Sequence, residues 1–288
     1  MTAQRDFASK LESLSRKSVR DHYNPYTQFD WPDALPEDSP WMPAELLSLY
    51  GTPFYDGLTP QQVARLSKWE SINFYGLIIH GIREVIEKVA VRIHTPAFAD
   101  VSDYLHHLLG EENAHMWFFA TFCRKYGGKI YADRSFALEG APAQAVDDFL
   151  TFARIAIFEE VVDYYNVGIG KDRSLPIIIQ SINTTHHRDE SRHVAFGREF
   201  MRELYKRVAG AGPEATEMAE AHLRRYLSHC IDIFYSAPAY RDAGLADPFK
   251  LRNQARRAPE RGEFHRKMLA RTVNFLLDEN ILRDGGIQ

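Results

Sequence analysis

From Thr59 to Gly210 the chain is four long runs of helical apolar periodicity, separated only by proline, glycine and a short polar turn. A run with apolar residues every three or four positions buries one face, and four such runs on short joints have to bury those faces against one another. The first opens at Thr59, an N-cap followed by proline, and Pro96 stops it. The second runs from about Ala97 to Gly127-Gly128, and the third starts at Pro142. Asp172 to Ser174 should cap the fourth, which Gly210 and Gly212 end. Two of the three joints are very short, predicting antiparallel neighbours in one bundle. Helix pair one-two loosely resembles pair three-four, and no strand-like alternation occurs.

The flanks read differently. Residues 1–58 carry Pro25, Pro32, Pro36, Pro40, Pro43 and Pro53 with scattered aromatics, which predicts an irregular arm with short helices. Residues 211–288 predict accessory helices near 213–236, 246–257 and 259–279. The expected organisation is a single domain: arm 1–58, core 59–210, accessory helices 211–288.

Composition narrows the function. A net charge of −4 supplies no general basic field, so nucleic acid is an unsuitable partner. No apolar run is long enough to span a membrane, and the start shows no signal-peptide pattern. Cys123 and Cys230, each inside an apolar helical pattern, read as buried thiols of a reducing compartment. Cytoplasmic residence is the expectation.

The chemistry concentrates in two Glu-x-x-His pairs, Glu112/His115 and Glu190/His193. A spacing of three puts both side chains on one helical face, about a turn apart, within reach of one metal ion. About one such pair is expected by chance in a chain with 12 histidines, so position carries the weight. Leu105, Leu108, Glu112, His115, Phe119 and Phe122 form one stripe. Ile179, Ile182, His186, Glu190, His193 and Phe200 form another. Each pair therefore lies on the apolar face, where unpaired carboxylates would be strongly destabilising and cations would make them tolerable.

A bundle dimetal site also needs a glutamate from each of the other two helices. On the first helix Leu77, His80, Glu84, Glu87 and Val91 share a stripe. Glu84 fits the level of Glu112 better than Glu87 does, and the choice stays open. On the third helix Phe149, Phe152, Ala156, Glu159 and Val162 favour Glu159, with Glu160 as the alternative. His186, one turn before Glu190, is a further candidate ligand, and Asp189 could orient a histidine by accepting its second N–H. His80, His106, His107, His222 and His229 read as structural. Mixed carboxylate and imidazole donors suit iron or manganese, not a zinc thiolate site.

This plan resembles the ferritin-like di-iron carboxylate superfamily. The extended motif His186-His-Arg-Asp-Glu190-Ser-Arg-His193 resembles that of the p-aminobenzoate N-oxygenase (AurF-type) family. The resemblance implies an all-α, ferritin-like four-helix bundle with additional C-terminal helices and an irregular N-terminal arm. It implies two iron ions held by four glutamates and three histidines. Carried over residue by residue these are Glu84, Glu112, His115, Glu159, His186, Glu190 and His193, where Glu84 is matched only by order and stands nearer to Glu112 than the family pattern. The implied activity is an O2-dependent N-oxygenation of a small-molecule amine to hydroxylamine, nitroso or nitro products, with an external electron donor. The alternatives are another di-iron chemistry, such as hydroxylation or desaturation, and a ferritin-like iron-handling role, against which His186 and the extra helices argue. A homodimer is the expected assembly.

Overall fold

The computed structural model describes residues 2–36, 38–134, 136–137 and 142–286, with side chains from Asp6 onward. All regular structure among them is helical. The bundle is built from α3 (Pro60–Ala90), α4 (Ser102–Phe122), α5 (Gln144–Lys171) and α6 (Ile177–Gly210), flanked by α1 (Thr2–Arg20), α2 (Pro53–Asp56), α7 (Pro213–Asp232), α8 (Ala237–Asp242), α9 (Pro248–Arg256) and α10 (Gly262–Asp278).

Local chemistry sets the ends. Thr59 accepts from the Gln62 N–H while the Gln62 side chain takes the Thr59 N–H, closing a capping box with Pro60 inside the first turn. Before Gly128 the last turn of α4 widens into a π-helical segment, Cys123–Gly127. Gly128 then takes φ +67°, a left-handed conformation that glycine adopts without strain. The cap expected at Asp172–Ser174 is instead a local turn. Asp172 accepts from the backbone and hydroxyl of Ser174, and α6 starts only after Pro176, whose extended backbone holds it off.

Side-chain pairs give the direction of each helix. α3 is antiparallel to α4, since the Cys123 thiol meets the Ile72 carbonyl and Tyr75 stacks on Phe119. It is antiparallel to α5 as well, through Arg92–Asp148 and the Phe74–Tyr165 stack. α6 runs antiparallel to α4, through Glu111–His193 and Phe119–His186, and to α5, through Asp163–His187 and Ala156–Gly197. α4 and α5 are therefore parallel. Up-down-down-up with one long crossover is the ferritin-like arrangement.

Residues 2–20 depart from the expected arm: they form one continuous helix, free of proline, which buries Leu11 and Leu14 against α4 and α6. The rest of the arm carries short helical turns among its described residues, 21–36 and 38–58. It is pinned by Glu70 of α3, which accepts from the Ser48 N–H and hydroxyl, and Ser48 in turn meets the Tyr240 hydroxyl. Both cysteines are free and buried, and burial pushes each thiol up to about 12.

Helices α5 and α6 approach closely at Gly197, where a Cβ would stand 2.7 Å from that of Ala156. Gly197→Leu is expected to overpack this contact and destabilise the fold by about 1–3 kcal/mol; an unchanged midpoint of urea denaturation would contradict the packing. Burial raises the Glu70 pKa from its ordinary 4.5 to about 7. The protonated form thus favours folding below pH 4.5, and that contribution fades as pH rises through 7. Glu70→Gln should remove roughly 3 kcal/mol of this pH dependence, read as the variant-minus-parent difference in unfolding free energy between pH 4.5 and 8.

Candidate metal centre

Six side chains from three helices meet in the bundle core: Glu112 and His115 from α4, Glu159 from α5, and His186, Glu190 and His193 from α6. All are buried. Their donor atoms fall into two groups, each with its atoms within 4.8 Å of one another: His115, His186 and Glu190, and Glu112, Glu159, Glu190 and His193. Glu190 belongs to both. Its Oε1 lies 2.8 Å from His186 Nε2 and 3.5 Å from His115 Nδ1, and its Oε2 lies 3.4 Å from His193 Nδ1. The two oxygens thus face the two groups, the disposition of a bridging carboxylate. Glu112 Oε1 stands 2.9 Å from His193 Nδ1 and 3.7 Å from His115 Nδ1.

Every one of these imidazoles is held from behind. The Asp189 carboxylate stands 3.2 Å from His115 Nε2, and Glu111 stands 2.7 Å from His193 Nε2. Asn166 lies 2.8 Å from His186 Nδ1. Arg192 donates to both Glu111 and Asp189, locking those two carboxylates together. An imidazole anchored through one nitrogen presents the other in a fixed direction, the arrangement that metal-binding histidines show.

Five of the inward-facing atoms make no hydrogen bond: Glu112 Oε1, His115 Nδ1, Glu159 Oε1, Glu190 Oε2 and His193 Nδ1, all buried. Buried polar atoms are nearly always satisfied, so five orphans converging on one spot call for something that binds oxygen and nitrogen lone pairs at once. Divalent cations meet that demand, and carboxylate with imidazole suits iron or manganese.

The electrostatics agree. Burial alone raises Glu159, and the neighbouring Glu190 charge adds to it, holding its pKa well above the ordinary carboxylate range. Burial opposes charge on Glu190 too, but the imidazoles of His193 and His186 outweigh it and hold its pKa low. For His115, burial favours the neutral ring, yet Asp189 and Glu112 hold the pKa up at about 9. The site therefore attracts positive charge, as a proton or as a metal ion. Tyr104, whose buried hydroxyl also lacks a partner, feels the charges of His193, Glu111 and Glu159.

Between Glu159 and Glu160 the two outcomes are distinct. Glu159 turns into the cluster, whereas Glu160 accepts from Arg198 at 2.5 Å and Thr272 at 2.6 Å and ties α5 to α6 and α10. Glu84 is a correction. The structure does not bring it to the cluster: it is half-exposed and pairs with Arg154 at 2.6 Å. The stripe of Leu77, His80, Glu84 and Glu87 faces a cavity beside α5 and α7, with Leu77 buried and Glu87 beside Lys88, and Val91, just past the end of α3, is 67% exposed. The inward face is Tyr75, Ile78, Ile82, Val85 and Val89. Glu84 follows Ile82 by two positions, about 200° round the helix, so axial level was matched and rotation was not.

The histidine that Asp189 meets is His115, on the neighbouring α4. Glu111 and Asn166 went unread in the sequence. The first was hidden by its neighbour Glu112, and the second stands in an apolar stretch of α5 without a motif. His80 bonds the Tyr131 carbonyl, His106 pairs with His94 at the surface, and His222 and His229 pack on Phe136, all away from the cluster.

A buried carboxylate and imidazole cluster inside an up-down-down-up bundle is the arrangement of a ferritin-like protein. The model of the family described as p-aminobenzoate N-oxygenase AurF matches residues 4–279, nearly the whole chain, and the chain belongs to that family. Curated relatives include the uncharacterized proteins Mb0909 of Mycobacterium bovis and Rv0885 of Mycobacterium tuberculosis. Each is 22% identical over 222 residues, which cover 70% of this chain and 63% of theirs. The chain thus spans less than two thirds of the length of the curated relatives it matches. Among solved structures, an R2-like ligand-binding oxidase variant with an aerobically reconstituted Mn/Fe cofactor aligns with a TM-score of 0.47 and 14% identity, over 96% of this chain and 94% of that one. No helix among the described residues is long and apolar enough to cross a membrane.

Asp189→Asn and Glu111→Gln should each weaken metal uptake about 10–100-fold while far-UV circular dichroism stays unchanged, because each loosens one anchored histidine. Uptake equal to the parent in both variants would show that these carboxylates do not position the rings.

Proposed function

We propose that Glu112, His115, Glu159, His186, Glu190 and His193 hold two iron ions, with manganese as an acceptable substitute, and that the protein uses them with O2 to N-oxygenate a small-molecule amine. The convergence of five unpartnered buried donor atoms on one point carries the metal part of this reading. The family description supports the N-oxygenation part. When bound, the metal pair supplies the redox chemistry that O2 requires, with electrons from an external donor.

The chain's own residues prepare the site. The Glu190 oxygens fix the spacing between the two donor groups, and the anchored histidines keep their lone pairs aimed inward without reorganisation. Phe118 and Phe119 pack on His115 and His186, with Phe119 4.8 Å from the His186 ring, and help keep bulk water from the donors.

A cavity of about 330 Å³ lies between α3, α5 and α7. Ile155 and Phe158, which line it, sit within one turn of Glu159 on α5. Its walls combine apolar Leu77, Ile155 and Phe158 with Arg154, whose Nε is buried and unpartnered. An aromatic amine bearing a carboxylate, the kind of compound in the family's description, would find apolar walls and a guanidinium there, with Glu84 giving up its hold on Arg154.

The test is to load the protein with Fe(II), supply reductant and O2, and screen small arylamines for hydroxylamine, nitroso or nitro products by mass spectrometry. Product from the parent and at least about 100-fold less from Glu190→Ala are expected, since that change removes the donor shared by both groups. Oxidation at carbon in place of nitrogen would support a hydroxylase or desaturase. Iron uptake with mineral formation and no organic product would support iron handling.

A further inference from the structure

The cluster departs from a four-glutamate, three-histidine plan on one side only. The α3–α4 register, set by Ile72 against Cys123 and Tyr75 against Phe119, puts residues 79–82 of α3 level with Glu112 and His115. The α3–α5 register, set by Phe74 against Tyr165 and by Gly81 against Phe158, puts residue 80 level with Glu159. At this level the inward positions of α3 are Ile78 and Ile82, which are 1% and 3% exposed. Glu84 and Glu87, the nearest carboxylates on that helix, point away.

The remaining donors are unequal. One group has three carboxylates and one imidazole; the other has two imidazoles and only the shared Glu190. We propose that the two cation positions differ by construction. The position at Glu112, Glu159, Glu190 and His193 binds tightly. The position at His115, His186 and Glu190 binds weakly and exchanges, with the open side of its coordination sphere toward Ile78 and Ile82. This inference rests on the cluster being a metal site.

The physical reason is the donor count. A carboxylate contributes charge and a hard oxygen, a neutral imidazole contributes only a lone pair, and isoleucine contributes neither. Compensating charge does stand behind the weaker position, on Asp189, but Arg192 and Arg188 share it. The nitrogen-rich set also discriminates among cations, because imidazole suits later first-row ions while carboxylate oxygen suits manganese. The tight position should therefore accept Mn(II) and Co(II), and the weak one Co(II) in preference to Mn(II).

The experiment is an anaerobic calorimetric titration of the demetallated full chain with Co(II), repeated with Mn(II). One equivalent of Co(II) should bind tightly and a second about 10–100-fold more weakly, the loss that follows when a metal site lacks one supporting group. His186→Ala should abolish the weak step and leave the tight one within about threefold. Ile82→Glu, which restores a carboxylate on α3, should bring the second step close to the first. Two equivalents of equal affinity in the parent, or equal weakening of both steps by His186→Ala, would overturn the inference and leave the metal site standing. Absence of any Co(II) binding would remove the metal-site reading and this inference together. Circular dichroism checks folding, and if Ile82→Glu does not fold, the parent and His186→Ala titrations decide.

Discussion

Three buried carboxylates with oxygens within 4.8 Å of one another are the constraint around which this molecule is organised. Like charges in a poorly solvated interior repel strongly, and each has lost its hydration. Glu112, Glu159 and Glu190 are 2%, 6% and 1% exposed, so water does not relieve them. What relieves them is positive charge, and the surrounding structure delivers three rings that accept it or share it with a metal. A second layer, Asp189, Glu111, Asn166 and Arg192, stands behind the rings, and Arg192 also reaches Ser18 and Asp21. Its members make sense as devices that fix the rings. Helices α1, α7 and α10 then cover the bundle from outside, and Glu160, bonded to α6 and α10, shows how a carboxylate one residue away from the cluster becomes an ordinary tie between helices.

Much of this was legible in the sequence because helical periodicity and metal chemistry leave separate traces that here coincide. The four long helices follow from apolar spacing with proline and glycine breaks, and the Thr59 cap follows from its side-chain chemistry. Glu112, His115, Glu190 and His193 announce themselves as polar pairs on apolar stripes. His186 follows from its place one turn away, and Glu159 from the stripe it continues.

What the sequence hid has physical causes. Glu84 fits the axial level of Glu112, but its rotation about α3 depends on which of two competing stripes is buried. Leu77 and His80 line the cavity beside α5 and α7, while Tyr75, Ile78 and Ile82 occupy the inward face. Only packing against α4 and α5 decides between them. Glu111 and Asn166 act through contacts between helices, which no spacing within one helix reports. Residues 2–20 read as arm because the prolines that follow dominate the composition, although that segment itself contains none and continues as a single helix.

The central claim is that this core is a cation site of two positions astride Glu190. The most direct measurement is anomalous X-ray diffraction at the iron edge from crystals of the Fe(II)-loaded chain. Two anomalous peaks are expected, one among Glu112, Glu159, Glu190 and His193 and one among His115, His186 and Glu190, with the second lower in occupancy. Carboxylate oxygens within hydrogen-bonding distance of one another, with no anomalous signal at either position, would contradict it.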